Sequence, residues 1–113
     1  MNLKCFKFKG NRSTLKIPKR YKLFGTTYTV TWDDRLCNEL KSYGICDYSA
    51  SEITMSETEG GRELSADKMM DTWYHERTHS ILDMMGEHKL SCNEKFVDVF
   101  SKLQRQADES AEF

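Results

Sequence analysis

The chain of 113 residues is the length of one domain, and residues 1–113 are read as a single unit without an appended module. Its 17 Lys and Arg nearly balance 18 Asp and Glu, so no overall field exists to hold nucleic acid or an anionic membrane, and neither is expected as a partner. No apolar run approaches the length needed to span a bilayer, while 38% hydrophobic and 12% aromatic residues are enough to order a core.

In chain order, the first residues are basic (Lys4, Lys7, Lys9, Arg12, Lys16, Lys19, Arg20), which reads as a solvated charged edge. Pro18 is expected to end the short run Leu15 to Ile17. Tyr21 to Phe24 and Thr27 to Trp32 flank Gly25, and Tyr28, Val30 and Trp32 alternate with threonines, which predicts a hairpin. Ile45 to Tyr48 and Glu52 to Met55 predict a second hairpin, with Ile53 and Met55 on one face and an edge near Ile53 on which a peptide could add as a strand. Ser56 to Arg62, with adjacent Gly60 and Gly61, reads as a mobile connection. Cys5, Cys37, Cys46 and Cys92 lack Cys-x-x-Cys spacing and follow no apolar signal segment, so free thiols in a reducing cytoplasm are expected.

The second half changes to helical period. Ser65 suits an N-cap, Asp67 the first turn and Gly86 the stop, predicting a helix from about Ala66 to Met85. A second helix is expected from about Cys92, where Ser91 and Glu94 match a capping box and Phe96, Val97, Phe100 and Leu103 follow at helical spacing. Ala107 to Phe113 are expected to fray. The fold class is therefore α+β: a short antiparallel sheet in the N-terminal half packed on two C-terminal helices.

The first helix carries His75-Glu76-Arg77-Thr78-His79. Residues four apart on a helix lie about 40° apart around its axis, so both imidazoles face one way. They supply two nitrogen ligands of the kind zinc prefers and leave positions for a third protein ligand and a water, with Glu76 beside that water as general base. A surface helix can carry these residues by chance, but the helix signals and the position of the histidines at the border of an apolar arc (Met70, Trp73, Tyr74, Ile81, Leu82, Met84, Met85) agree with a metal site. Arg77 falls inside that arc, where only its stem is at home. Glu94 is the leading third ligand, with N-capping as its competing role. Asp98, one turn on, is placed to take a ligand histidine's second ring N–H. His88, preceded by Glu87, ranks below Glu94 as ligand. Tyr28, Tyr74 and His88 are candidates for stabilising an oxyanion, and the sequence does not choose among them.

The run from Trp73 to Asp98 resembles the zinc core of the zincin metallopeptidases, in particular the gluzincins, whose His-Glu-x-x-His helix is followed by a helix bearing a glutamate ligand. Asn93-Glu94-Lys95-Phe96-Val97-Asp98 is similar to the Asn-Glu-x-x-x-Asp context of the thermolysin-like members. The resemblance implies a minimal zincin-like fold, a zinc ion held by His75, His79 and Glu94, Glu76 as base, Asp98 as orienter of His75, and a protein or peptide as substrate. The small size and β-rich front half also resemble compact metallopeptidases encoded in bacteriophage genomes, related to the ImmA/IrrE-type family, some of whose members cleave transcriptional repressors. The chain departs from the pattern in the short gap between His79 and Glu94, in the charged Arg77, and in lacking a helix-turn-helix module. The alternative reading is a catalytically silent zinc-binding module that regulates by protein–protein contact.

Overall fold

A computed structural model describes residues 16–113. Lys4, Cys5, Lys7, Lys9, Arg12 and Leu15, named above, lie outside the described residues. The elements are β1 (Arg20–Leu23), β2 (Thr26–Trp32), α1 (Asp34–Glu39), β3 (Gly44–Asp47), β4 (Glu52–Met55), β5 (Thr58–Glu59), β6 (Arg62–Glu63), α2 (Ala66–Met84), α3 (His88–Ser91) and α4 (Glu94–Ser110). The α+β class holds.

β1 and β2 form the first hairpin, pairing Tyr21 with Tyr28 across a two-residue turn at Phe24 and Gly25, both at positive φ. β3 and β4 form the second, with Cys46 opposite Ile53. The sheet order is β1-β2-β4-β3, and β2 runs parallel to β4 with Val30 beside Ile53. The sheet is therefore mixed, which corrects the expected all-antiparallel one. The segment 33–51, carrying α1 and β3, is long enough to return the chain for parallel pairing. It also makes β4 an internal strand and leaves β3 at the edge, so the free edge expected near Ile53 is moved to its neighbour.

Two further local expectations are corrected. Ser56 to Arg62 is not a loose connection: β5 pairs with β6 around Gly60 and Gly61. Asp34 ties this hairpin to α1, accepting hydrogen bonds from Glu57 N (2.8 Å) and Thr58 Oγ1 (2.9 Å). α1 itself, capped by Asp33 accepting from Leu36 N at 3.0 Å, had no counterpart among the predicted elements. Its six residues are too few to show a helical period.

α2 lies across the face of the sheet that presents Val30, Ile53 and Met55, burying Trp73 and Tyr74 against them. Ser65 Oγ accepts from Lys68 N at 3.0 Å as the N-cap. At the other end Gly86, at φ +80°, gives the left-handed turn in which Glu87 N donates to Leu82 O and Gly86 N to Asp83 O, the paired bonds of a Schellman stop. Tyr21 ties β1 to this helix through Ser80 Oγ at 2.7 Å and an edge-on contact with Trp73. Arg77 resolves its misfit by laying its guanidinium over the Tyr74 ring at 4.6 Å, with Nε buried and unbonded.

α4 packs back along α2 through buried Val97 and Ser101. Arg105 clamps the pair, donating to Asp71 Oδ1 (2.9 Å), to Asp67 Oδ1 (2.7 Å) and to Glu109 Oε2 (2.9 Å). Tyr74 Oη donates to Asp108 Oδ2 at 2.7 Å. These bonds carry α4 to Ser110, beyond Ala107 where fraying was expected. The outer residues Val99, Phe100 and Leu103 stay exposed, so only part of the expected apolar face enters the core.

Candidate metal centre

The site begins with how closely α2 rests on β3. A Cβ on Gly44 would stand 2.6 Å from Thr72 Cγ2 and 3.0 Å from Glu76 Cγ, so only glycine lets the helix settle onto this strand. Glu76 is thereby pressed between helix and strand, 8% exposed. Burial, with the charge of Glu94 second, pushes its carboxyl up to about 8.

His75 and His79 stand one turn apart on the more open side of α2, their ring centroids 5.0 Å apart. Glu94 reaches them from the first turn of α4. Its Oε1 lies 3.1 Å from His75 Nε2 and its Oε2 3.4 Å from His79 Nε2. One ligand atom from each of the three residues can be chosen so that all lie within 4.8 Å of one another. Metal–ligand bonds of about 2.0–2.2 Å in a tetrahedron put neighbouring ligand atoms about 3.3–3.5 Å apart, near the two histidine–carboxylate spacings, each to a different oxygen of Glu94. Two imidazole nitrogens and one carboxylate oxygen form a donor set suited to zinc, so the residues present fit a divalent ion.

Glu94 is free for this because it is not in the capping box expected with Ser91. The cap is Asn93, whose Oδ1 accepts from Phe96 N at 3.1 Å. Ser91 ends the short helix α3, is buried, and places its Oγ 3.0 Å from His79 Nδ1. When Nδ1–H is donated to Ser91, Nε2 keeps its lone pair for a ligand role. This support was hidden in the sequence, because serine near a helix start reads first as a cap. Burial holds the His79 imidazole below its ordinary range. Asp98 stands beside His75 with Oδ1 3.9 Å from Nδ1, a charge contact longer than a hydrogen bond, while its Oδ2 accepts from Lys102 Nζ at 2.9 Å.

The remaining candidates separate clearly. Tyr28 is fully buried in the core and stacked on Tyr21, and Tyr74 is spent on Asp108 and Arg77. His88 is outside the three-residue cluster, with Nδ1 3.1 Å from Asp83 Oδ1 and its ring edge-on to Tyr48. It does line a cavity of about 580 Å³ together with Glu76, His79 and Glu94, walled by Gly44 to Cys46 of β3. Cys37, Cys46 and Cys92 are free thiols, and burial pushes Cys37 up to about 11 and Cys46 to about 12, so neither of these two is a thiolate near neutral pH.

No helix among the described residues is long and apolar enough to cross a membrane. Neither a protein-family model, nor a curated protein, nor a solved structure matches the chain. The functional reading therefore stands on the geometry of the residues.

Proposed function

We propose that the chain is a zinc-dependent metallopeptidase with a minimal gluzincin-type site, acting in the cytoplasm on a protein or peptide. The observation that carries this reading is the meeting of His75, His79 and Glu94 beside the buried carboxyl of Glu76. His75, His79 and Glu94 would hold the ion, while Ser91 fixes the His79 ring through Nδ1 and Asp98 biases His75 electrostatically. Zinc bound by these three residues would supply an activated water with a pKa of about 7.

Glu76 then serves as the base. It takes the proton of the attacking water as oxygen adds to the substrate carbonyl, and it returns that proton to the amine when the C–N bond breaks. His88, held by Asp83 and lining the same cavity, is the remaining candidate to donate to the carbonyl oxygen as negative charge builds there. β3 is the edge strand of the sheet, and beyond Gly44, whose N–H and C=O are taken up by Ser42 Oγ, its outer edge would receive an extended peptide and lay the scissile bond across the site.

Glu76→Gln tests the assignment, since it keeps shape and ligands but removes the base. Zinc content should stay at one ion per chain while hydrolysis of a labelled, unstructured protein falls at least about a hundredfold. Hydrolysis unchanged by the substitution would overturn the role of Glu76.

A further inference from the structure

The outward side of α4 is left uncovered by the fold. Phe96, Val99, Phe100 and Leu103 recur at three- and four-residue steps, so they fall on one stripe of the helix. Val99 is 50%, Phe100 40% and Leu103 58% exposed, the Phe96 and Phe100 rings stack at 5.5 Å, and a groove of about 380 Å³ runs along them. Apolar side chains gathered in this way form a contact surface, unlike single ones scattered over a protein. Glu94 lies about 160° round the helix from Phe96, so a molecule seated on the stripe leaves the candidate metal centre open.

Two features select a second copy of the chain as the occupant. The first is spacing. Phe96, Val99, Phe100 and Leu103 take heptad positions a, d, e and a, a seam that two antiparallel helices can close. With the copies related by a twofold axis at the level of Ser101, Val99 of one meets Leu103 of the other, Leu103 meets Val99, and Phe100 meets its own copy beside the axis. The second is charge. Lys95 flanks the stripe at its N-terminal end, and Glu109, about four turns on, stands on the same flank at its C-terminal end. Antiparallel pairing brings Lys95 of each copy to Glu109 of the other, and the opposed helix dipoles favour the same direction. Glu109 has charge to offer, since the Arg105 guanidinium that it touches at 2.9 Å is shared with Asp67 and Asp71. Lys102, which approaches its own copy across the axis, already holds Asp98 at 2.9 Å.

We propose that the chain associates with a second copy of itself through the outer face of α4, the two helices antiparallel. One helix face falls short of the roughly 800 Å² per partner of a stable interface, so the association is weak, with a Kd on the order of tens of micromolar. It uses none of the metal-site residues and is independent of the metallopeptidase reading.

Sedimentation velocity of the full chain from about 1 to about 500 µM should show the mass rising from that of one chain toward that of two. Leu103→Glu should weaken the association at least about tenfold, with an unchanged melting temperature at a dilution where the chain is single, because Leu103 is exposed there. Lys95→Glu, which sets like charges against Glu109, should weaken it about fivefold, and Lys95→Glu combined with Glu109→Lys should restore it. Association that Leu103→Glu leaves unchanged, or a double reversal that restores nothing, would overturn the proposal. So would a chain that stays single at every concentration, which would leave the stripe to residues 1–15 or to a different protein.

Discussion

His79 is held at both ends of its ring, by Ser91 at Nδ1 and by Glu94 at Nε2, and the first of these contacts sets what the second can do. Removing the hydroxyl frees the ring to rotate and to change tautomer. Ser91→Ala should therefore weaken zinc binding about 10- to 100-fold while the fold persists, as measured by competition with a fluorescent chelator. Glu76 allows a prediction about pH. Its folded value of about 8 exceeds the ordinary 4.5, so the native metal-free chain binds the proton more strongly than the unfolded one. Stability is then highest below the ordinary value and declines as pH rises toward and past 8, by on the order of a few kcal/mol. Thermal melts of the metal-free protein between pH 5 and pH 9 should show this decline, and Glu76→Gln should flatten it. A wild-type melt that does not move with pH would contradict the burial argument.

At the scale of elements, the start of α4 decides whether Glu94 is structural or chemical. Asn93→Ala should cost about 1 kcal/mol of stability through loss of the cap, whereas Ser91→Ala should cost less than this in the metal-free protein, since Ser91 caps nothing. Chemical denaturation of both variants distinguishes the two roles, and the reverse order would restore the capping-box reading. The elements legible in the sequence were those with local signals: the turn at Gly25, the cap at Ser65, the stop at Gly86 and the turn-spaced histidines between them. Local signals failed where two good capping residues, Ser91 and Asn93, stood two apart and the chain's path chose between them. They failed again for α1, too short to show a period, and for the parallel pairing of β2 with β4, which depends on residues far apart in sequence. Gly44 was equally silent, because only the packed structure reveals that its missing side chain admits Thr72 and Glu76.

Across the whole molecule, α2, α4 and β3 converge at one point. The sheet seats α2 through Trp73 and Tyr74, Arg105 fixes α4 against α2, and β3 closes over Glu76. Because the candidate ligand atoms come from two helices, an ion bound between them would tie α4 to α2 and add stability only to the native state. The most direct test is metal analysis of protein purified without a metal-affinity resin, then dialysed with zinc and freed of excess, for the wild type and for His75→Ala, His79→Ala and Glu94→Ala. The account predicts about one zinc per wild-type chain, loss of it in each variant, and a melting temperature that rises with zinc in the wild type alone. A folded wild-type chain that holds no zinc, or one whose zinc survives all three substitutions, would contradict it.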